Sequence, residues 1–339
     1  MKKLCLLAMI IAVISIASHA ATLQRTILSH KGKITQYDAN HWQDAINDAV
    51  SGDTVYFTPG LFSGSINITK PITLIGSGVA EDNAFWTGND PLWYNGALAN
   101  IYAGCAKTGE STRIDGNVSI NIPGKITLTK TLMEGFLIYR DPWNSDGASV
   151  FIEQEITGVI IKRCQIGWIS ASAKSANMVL ENCFFNGISP ANWEEPDIHN
   201  CVIGQQIDAR ETEGFEFTNC MLNDLLGAHN CNFVNCTIES LGDWNNRSTH
   251  NTYVNCIYRE SEENSTYSNC WQNDSPNLFT KSQLQSGGYI GTDNTVVGPL
   301  GGPAPFTLIP SQPYVTSSTL NYVKSTKKLN VNVTVKQGK

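Results

Sequence analysis

Long helical patterns are nearly absent from this sequence. Only HWQDAINDAV, residues 41–50, spaces its apolar residues Trp42, Ala45, Ile46, Ala49 and Val50 as one face of a helix. Charge is scarce as well: Lys and Arg number 23 and Asp and Glu 30, only 16% of the 339 residues. The excess is acidic, which argues against a nucleic-acid partner, because phosphates demand basic surface. Beyond the first twenty residues no apolar run is long enough to cross a bilayer, so membrane insertion is not expected. The phosphate-cradling G-x-x-x-x-G-K-[ST] and the zinc motif H-E-x-x-H are both missing. No cofactor and no metal is therefore expected from motifs.

What is present begins with MKKLCLLAMIIAVISIASHA. Two lysines, an apolar run and small residues ending at Ala20 read as a secretory signal peptide over residues 1–20. The expected destination is secretion, to the periplasm, the cell surface or the medium. Removing Lys2 and Lys3 leaves 21 basic against 30 acidic residues, a net charge of −9. An acidic glycan stays open as a ligand, since a local basic groove or bound Ca²⁺ can oppose the global charge.

The remaining chain repeats. Cys164, Cys183, Cys201, Cys220, Cys236, Cys256 and Cys270 follow one another at 19, 18, 19, 16, 20 and 14 residues. Arg163 and then Asn182, Asn200, Asn219, Asn235, Asn255 and Asn269 precede them. A period near twenty marks a solenoid. Apolar residues alternate on either side of the pair, as strands require, but the phase slips at the Asn. Asn tolerates left-handed backbone, so a single Asn bends the chain between two strands that share one interior. Stacked coils of this kind form a parallel β-helix, and amide side chains at the bend can bond along the stack.

The cysteines admit three readings. As small hydrophobes they fill the tight space inside the bend. Zinc would need converging ligands, whereas stacked coils give a row. Disulfides suit an exported protein, but neighbours in a row have parallel Cβ directions, and Cys105 and Cys231 fall outside the row.

The helix of residues 41–50, with Asn40 as its cap and Gly52 as its stop, is too short to stand alone and is expected to cover the first coil. It is followed by GDTVYFTPG and INITKPITLIGSG, and later by STRIDGNVSI and LMEGFLIY. On these segments the chain resembles right-handed parallel β-helix proteins of the pectate-lyase-like superfamily, over roughly residues 35–275. The end, with GTDNTVVGPLGG and LNVNVTV, resembles uncharacterised exported β-helix proteins of gut Bacteroidetes. The resemblance implies an all-β, right-handed solenoid over residues 21–288 and, along one of its faces, the binding of an extended polysaccharide. Residues 79–111 interrupt the repeat and carry Trp86 and Trp93, either as part of a binding site or as a flap covering the coils. Residues 289–339 form a cap or a β-hairpin tail.

Ile169, Ile188, Ile207, Leu225 and Leu241 are expected to point inward. Their neighbours Trp168, Ser170, Ser189, Gln206, Asp208, Asp224 and Ser240 line an outer face, and the turns beyond add Trp193, Arg210, His229, Asp243, Trp244, Glu262 and Glu263. Asp208 and Asp224 are the candidate acid and base, and Arg210 the candidate partner for a uronate or for proton abstraction. Trp168, Trp193, Trp244, Trp86 and Trp93, with Asp243, are candidate substrate contacts. Outward acids on a solenoid are also ordinary solvated charges, and Asp208 with Arg210 a surface ion pair. The superfamily's W-x-D-H, R-x-P-x-x-R, N-T-D and G-H-G segments are absent, so none of its catalytic residues carries over. Two functions follow: polysaccharide binding, with lyase or hydrolase activity left open, or a noncatalytic surface or adhesion protein.

Overall fold

The computed structural model describes residues 24–78, 112–122, 131–138, 148–210, 213–242, 248–308, 311, 314–323 and 328–336. The signal peptide, the insertion at 79–111 with Trp86, Trp93 and Cys105, and Asp243 with Trp244 lie outside them.

Each recurring corner has the backbone its residue suggests. Asn182, Asn200, Asn219, Asn235, Asn255 and Asn269 have φ between 51° and 54°, and Arg163 has φ 50°. A left-handed residue turns the chain out of one sheet and into the next, and Asn bears this at less cost than other side chains with a Cβ. The strands before the corners form a 12-stranded sheet and those after them a 13-stranded sheet, both parallel over most of their width. A short third sheet joins Ile156–Thr157, Ser175–Ala176 and Trp193–Glu194. The architecture is that of a β-solenoid.

A single interior row can be followed along the first sheet. Leu28, Val55, Leu74, Met133, Ile161, Leu180, Ile198, Phe217, Phe233, Tyr253 and Tyr267 stand opposite one another in register. The last four are rings packed face to face, with centroids 5.2, 4.9 and 4.8 Å apart and planes within 9°. Ile169, Ile188, Ile207 and Leu225 face them in register from the second sheet, all buried.

The described thiols are free, and all but Cys270 are buried. In the row of seven, each Sγ donates to the carbonyl two residues back, across the corner, at 3.2–3.4 Å. A cysteine thus fills the narrow interior and adds a weak bond to the bent backbone, which alanine would not. Burial pushes the Cys164, Cys201, Cys236 and Cys256 thiols up, away from the reactive thiolate. In the native protein a maleimide should therefore label Cys270 first among the described thiols and leave the six inner members of the row unmodified until unfolding. Peptide mass spectrometry checks this; equal labelling along the row would contradict the packing.

A second left-handed corner precedes each of the last seven strands of the first sheet. It is occupied by Gly158, Asn177, Glu195, Gly214, Asn230, His250 and Asn264. It stands six residues before each cysteine of the row and is Gly or Asn in five of the seven coils, a signal that the reading forward from each cysteine missed.

At the amino end, Arg25–His30 and Lys33–Asp38 pair antiparallel and continue the first sheet. The helix runs from Trp42 to Asp48, and its Trp42 ring meets Phe57 and Phe62 at 6.2 and 5.8 Å. The expected Asn40 cap is not used. His41 occupies the cap position without a side-chain bond, and Asp38 instead accepts from the Asn40 and His41 amides.

The carboxyl segment runs back along the Asn corners as a strap. Asn255 donates to Thr292, the Gly298 amide to the Asn235 carbonyl, and Asn200 to the Pro299 and Gly301 carbonyls. The Thr307 amide then donates to Asn182, and Ser311 donates twice to Glu134, which also pairs with Arg163. Beneath the strap lies an outward but buried row that includes Phe184, Val202, Met221 and Ile257. Amide-to-amide bonds join only Asn235, Asn255 and Asn269; Asn200 and Asn182 bond the strap instead. Beyond it, Tyr314–Val323 and Lys328–Lys336 pair antiparallel with each other alone.

Candidate functional site on the outer face of the second sheet

The strap covers the outer face of the second sheet near the Asn corners. Farther along the strands the outer face is half-exposed among the described residues. There the register aligns Ser149, Trp168, Gly187, Gln206, Asp224 and Ser240 across six neighbouring strands. Trp168, Gln206, Asp224 and Ser240 are half-buried, as outward side chains on a flat sheet should be.

Trp168 is held flat. A Cβ built on Gly187 would lie 1.9 Å from its ring, so the indole occupies the space that any other residue at 187 would fill. Its Nε1 donates to Ser189 Oγ at 3.2 Å, which fixes the rotation of the ring. The result is a rigid indole lying on the sheet with one face against glycine, beside a line of amide, carboxylate and hydroxyl groups. Rigid aromatic area next to polar side chains favours recognition of a ring with an apolar face and hydroxyl edges.

Asp208 and Arg210 flank this line. The guanidinium forms a two-pronged pair with the carboxylate at 2.6 and 2.7 Å and holds the Asp208 carboxyl below its usual range. Gly227 makes room for Arg210, since a Cβ there would come within 2.9 Å of it. Asp208 and Asp224 lie on neighbouring strands but not on one rung: Asp224 is opposite Gln206, and Asp208 is opposite Leu226. Their Cα atoms are thus about 8 Å apart, from strand spacing and rise. An ionised carboxylate clamped by Arg210 is poorly suited to donate a proton, so this geometry does not favour Asp208 as a general acid.

Three expectations require correction. Trp193 is 5% exposed and packs in the core, because it begins a strand of the third sheet; it cannot stack on a ligand. Glu262 is also buried, accepting from Asn251, Tyr253 and Ser265, and burial pushes its carboxyl up. His229 does not face the open rung either; it lies beside the second corner, next to Asn230, bridged to Glu213 and Thr249. Among the described residues no three His, Cys, Asp or Glu groups are arranged to hold a metal ion, and no helix is long and apolar enough to cross a membrane. A Ca²⁺ bridged by Asp208, Asp224 and Asp243, one way to oppose the charge of an acidic glycan, would need Asp243, which lies outside the described residues. Gly187 is the site residue that sequence reading missed; the signal was a glycine inside a strand, four residues after Cys183.

Compared with known proteins, the chain matches no family model, no curated protein and no solved structure.

Proposed function

We propose that this is an exported, right-handed β-helix protein of the pectate-lyase-like kind that binds a polysaccharide along the outer face of its second sheet. Right-handedness is supported by the general sense of crossovers between parallel strands. The observation that carries the binding reading is the Trp168 indole seated on Gly187 at the head of the Gln206, Asp224 and Ser240 line. One sugar ring stacks on the indole, and the next sugars lie across the amide and carboxylate groups. Arg210, half-exposed and facing solvent beside Asp208, favours a ligand with some acidic sugars. The clamped state of Asp208 favours recognition over cleavage.

The test is a panel of neutral and acidic polysaccharides, scored for binding and assayed for reducing ends and unsaturated uronates with and without Ca²⁺. Trp168→Ala should weaken binding about tenfold, roughly 1–2 kcal/mol, as loss of a central aromatic contact does. Gly187→Ala should weaken it similarly by displacing the ring, while Glu216→Ala, an exposed change on the other sheet, should not. Binding that survives both site changes would move the site elsewhere. A panel on which the protein binds nothing would end the proposal, and release of product would restore a catalytic role to Asp224.

A further inference from the structure

Among the described residues the solenoid is covered at one end and uncovered at the other. At the amino end the antiparallel pair and the helix cover the first coil. At the carboxyl end, Thr266–Ser268 is the last strand of the first sheet and Trp271–Gln272 the last of the second, each paired on one side only among the described residues. The Thr266 amide donates inward to Asn251, and the Ser268 carbonyl accepts from Asn255. Parallel pairing alternates, so the peptide groups of Tyr267 face outward; by the same rule those of Gln272 do too, between the inward-bonded Trp271 and Asn273 amides. Tyr258, Tyr267 and Cys270, the last members of the interior rows, are only half-buried. Two exposed strand edges around the end of an apolar interior form a template for another strand.

The chain carries a matching element. The Tyr314–Val323 and Lys328–Lys336 hairpin pairs with no other described strand. Its charge also fits. Residues 294–339 contain Lys324, Lys327, Lys328, Lys336 and Lys339 and no acid. The open coil is acidic, with Glu260, Glu263 and Asp274 exposed.

The strap prevents a chain from using its own hairpin in this way. Ser311 is fixed on Glu134, seven strand steps from the open edge, or about 34 Å at the usual spacing. Tyr314 follows three residues later and lies within about 10 Å of that anchor. A hairpin lying along the open edge would need Tyr314 at the far end, so a neighbour must supply it.

We propose that the open end is completed by the hairpin of a second copy of this chain, whose edge pairs with Thr266–Ser268 while its lysines meet the acidic coil. Each copy then offers a hairpin anchored in the amino-terminal half, four strand steps from the amino edge, and an acceptor edge at the opposite end, so copies join head to tail. The contact does not close on itself, and a row of molecules results.

Sedimentation velocity on the chain from residue 21 onward, at low and high salt, tests this. The intact chain should associate with concentration, and more weakly in high salt. A chain ending after Ser311 keeps the strap and should remain single. Glu263→Lys with Asp274→Lys should weaken association at least tenfold, as should Lys327→Glu with Lys328→Glu. All four changes in one chain should restore it, which misfolding would not do. The proposal fails if the intact chain stays single through the micromolar range, if the shortened chain associates equally well, or if the fourfold variant is not rescued. Binding of the tail to anionic vesicles by chains that stay single would also overturn it.

Discussion

Phe233→Ala should destabilise the protein by about 3–5 kcal/mol, the range for removing a fully buried phenylalanine ring from a core. Phe233 is 0% exposed and stacks between Phe217 and Tyr253 at 5.2 and 4.9 Å. Its loss removes two ring contacts as well as buried area, and the flanking rings cannot collapse into the gap, because their separation is set by the strand pairing. In a solenoid each coil touches mainly its neighbours, so the damage should be local. Hydrogen exchange should quicken first at Glu216–Thr218, Asn232–Val234 and Thr252–Val254, with little change at Thr54–Phe57. An urea midpoint unchanged from the parent would show that the rings do not carry the core.

The second large effect is expected at the corner. Asn255→Val should cost about 3 kcal/mol or more, combining left-handed strain of about 1–2 kcal/mol with buried polar groups left unpaired. Asn255 has φ 54° and is 0% exposed; it donates to Asn235 and Thr292 and accepts from Asn269. Valine cannot adopt this backbone cheaply and supplies none of the bonds. Asn255→Gly separates the two terms. It keeps the backbone and loses only the amide, so it should recover about half of the loss. Thermal or urea unfolding of the two variants measures the difference. If valine and glycine behave alike, the bend is not what asparagine provides there.

Much of the fold could be read from one dipeptide. Asn-Cys carried the bend, the inward thiol and the coil period because all three constrain residue type at adjacent positions. The second corner was legible but missed: it stands six residues before each cysteine, as Gly or Asn in five coils, with only Glu195 and His250 breaking the pattern. The strap had a signal that strand alternation hid. After several corners two large apolar residues stand together, Phe184-Phe185, Val202-Ile203 and Met221-Leu222. One points in and the other out, and a buried outer residue implies that something lies over that face. The site was partly legible. Trp168, Gln206, Asp224 and Ser240 share the expected face, but irregularities between Phe185 and Gly187 and between Ile203 and Gln206 shift the register. Counted from cysteine, Asp208 stands at the seventh position and Asp224 at the fourth, on opposite faces of an unbroken strand; the extra residue between Ile203 and Gln206 brings them to one face, two residues apart. Trp193 was misplaced because the third sheet keeps register with the cysteine that follows it: Ile156, Ser175 and Trp193 each stand eight residues before Cys164, Cys183 and Cys201.

The strap also acts as a ruler. From Thr292 at Asn255 to Ser311 at Glu134 it spans six coil steps with nineteen residues of chain. A genetic duplication that inserted one more turn of the ribbon would lengthen the body by about 4.8 Å and require roughly three more residues in a segment far away in the gene. Length variants of this protein should therefore change at two distant places together, because the body cannot grow unless its fastening grows with it.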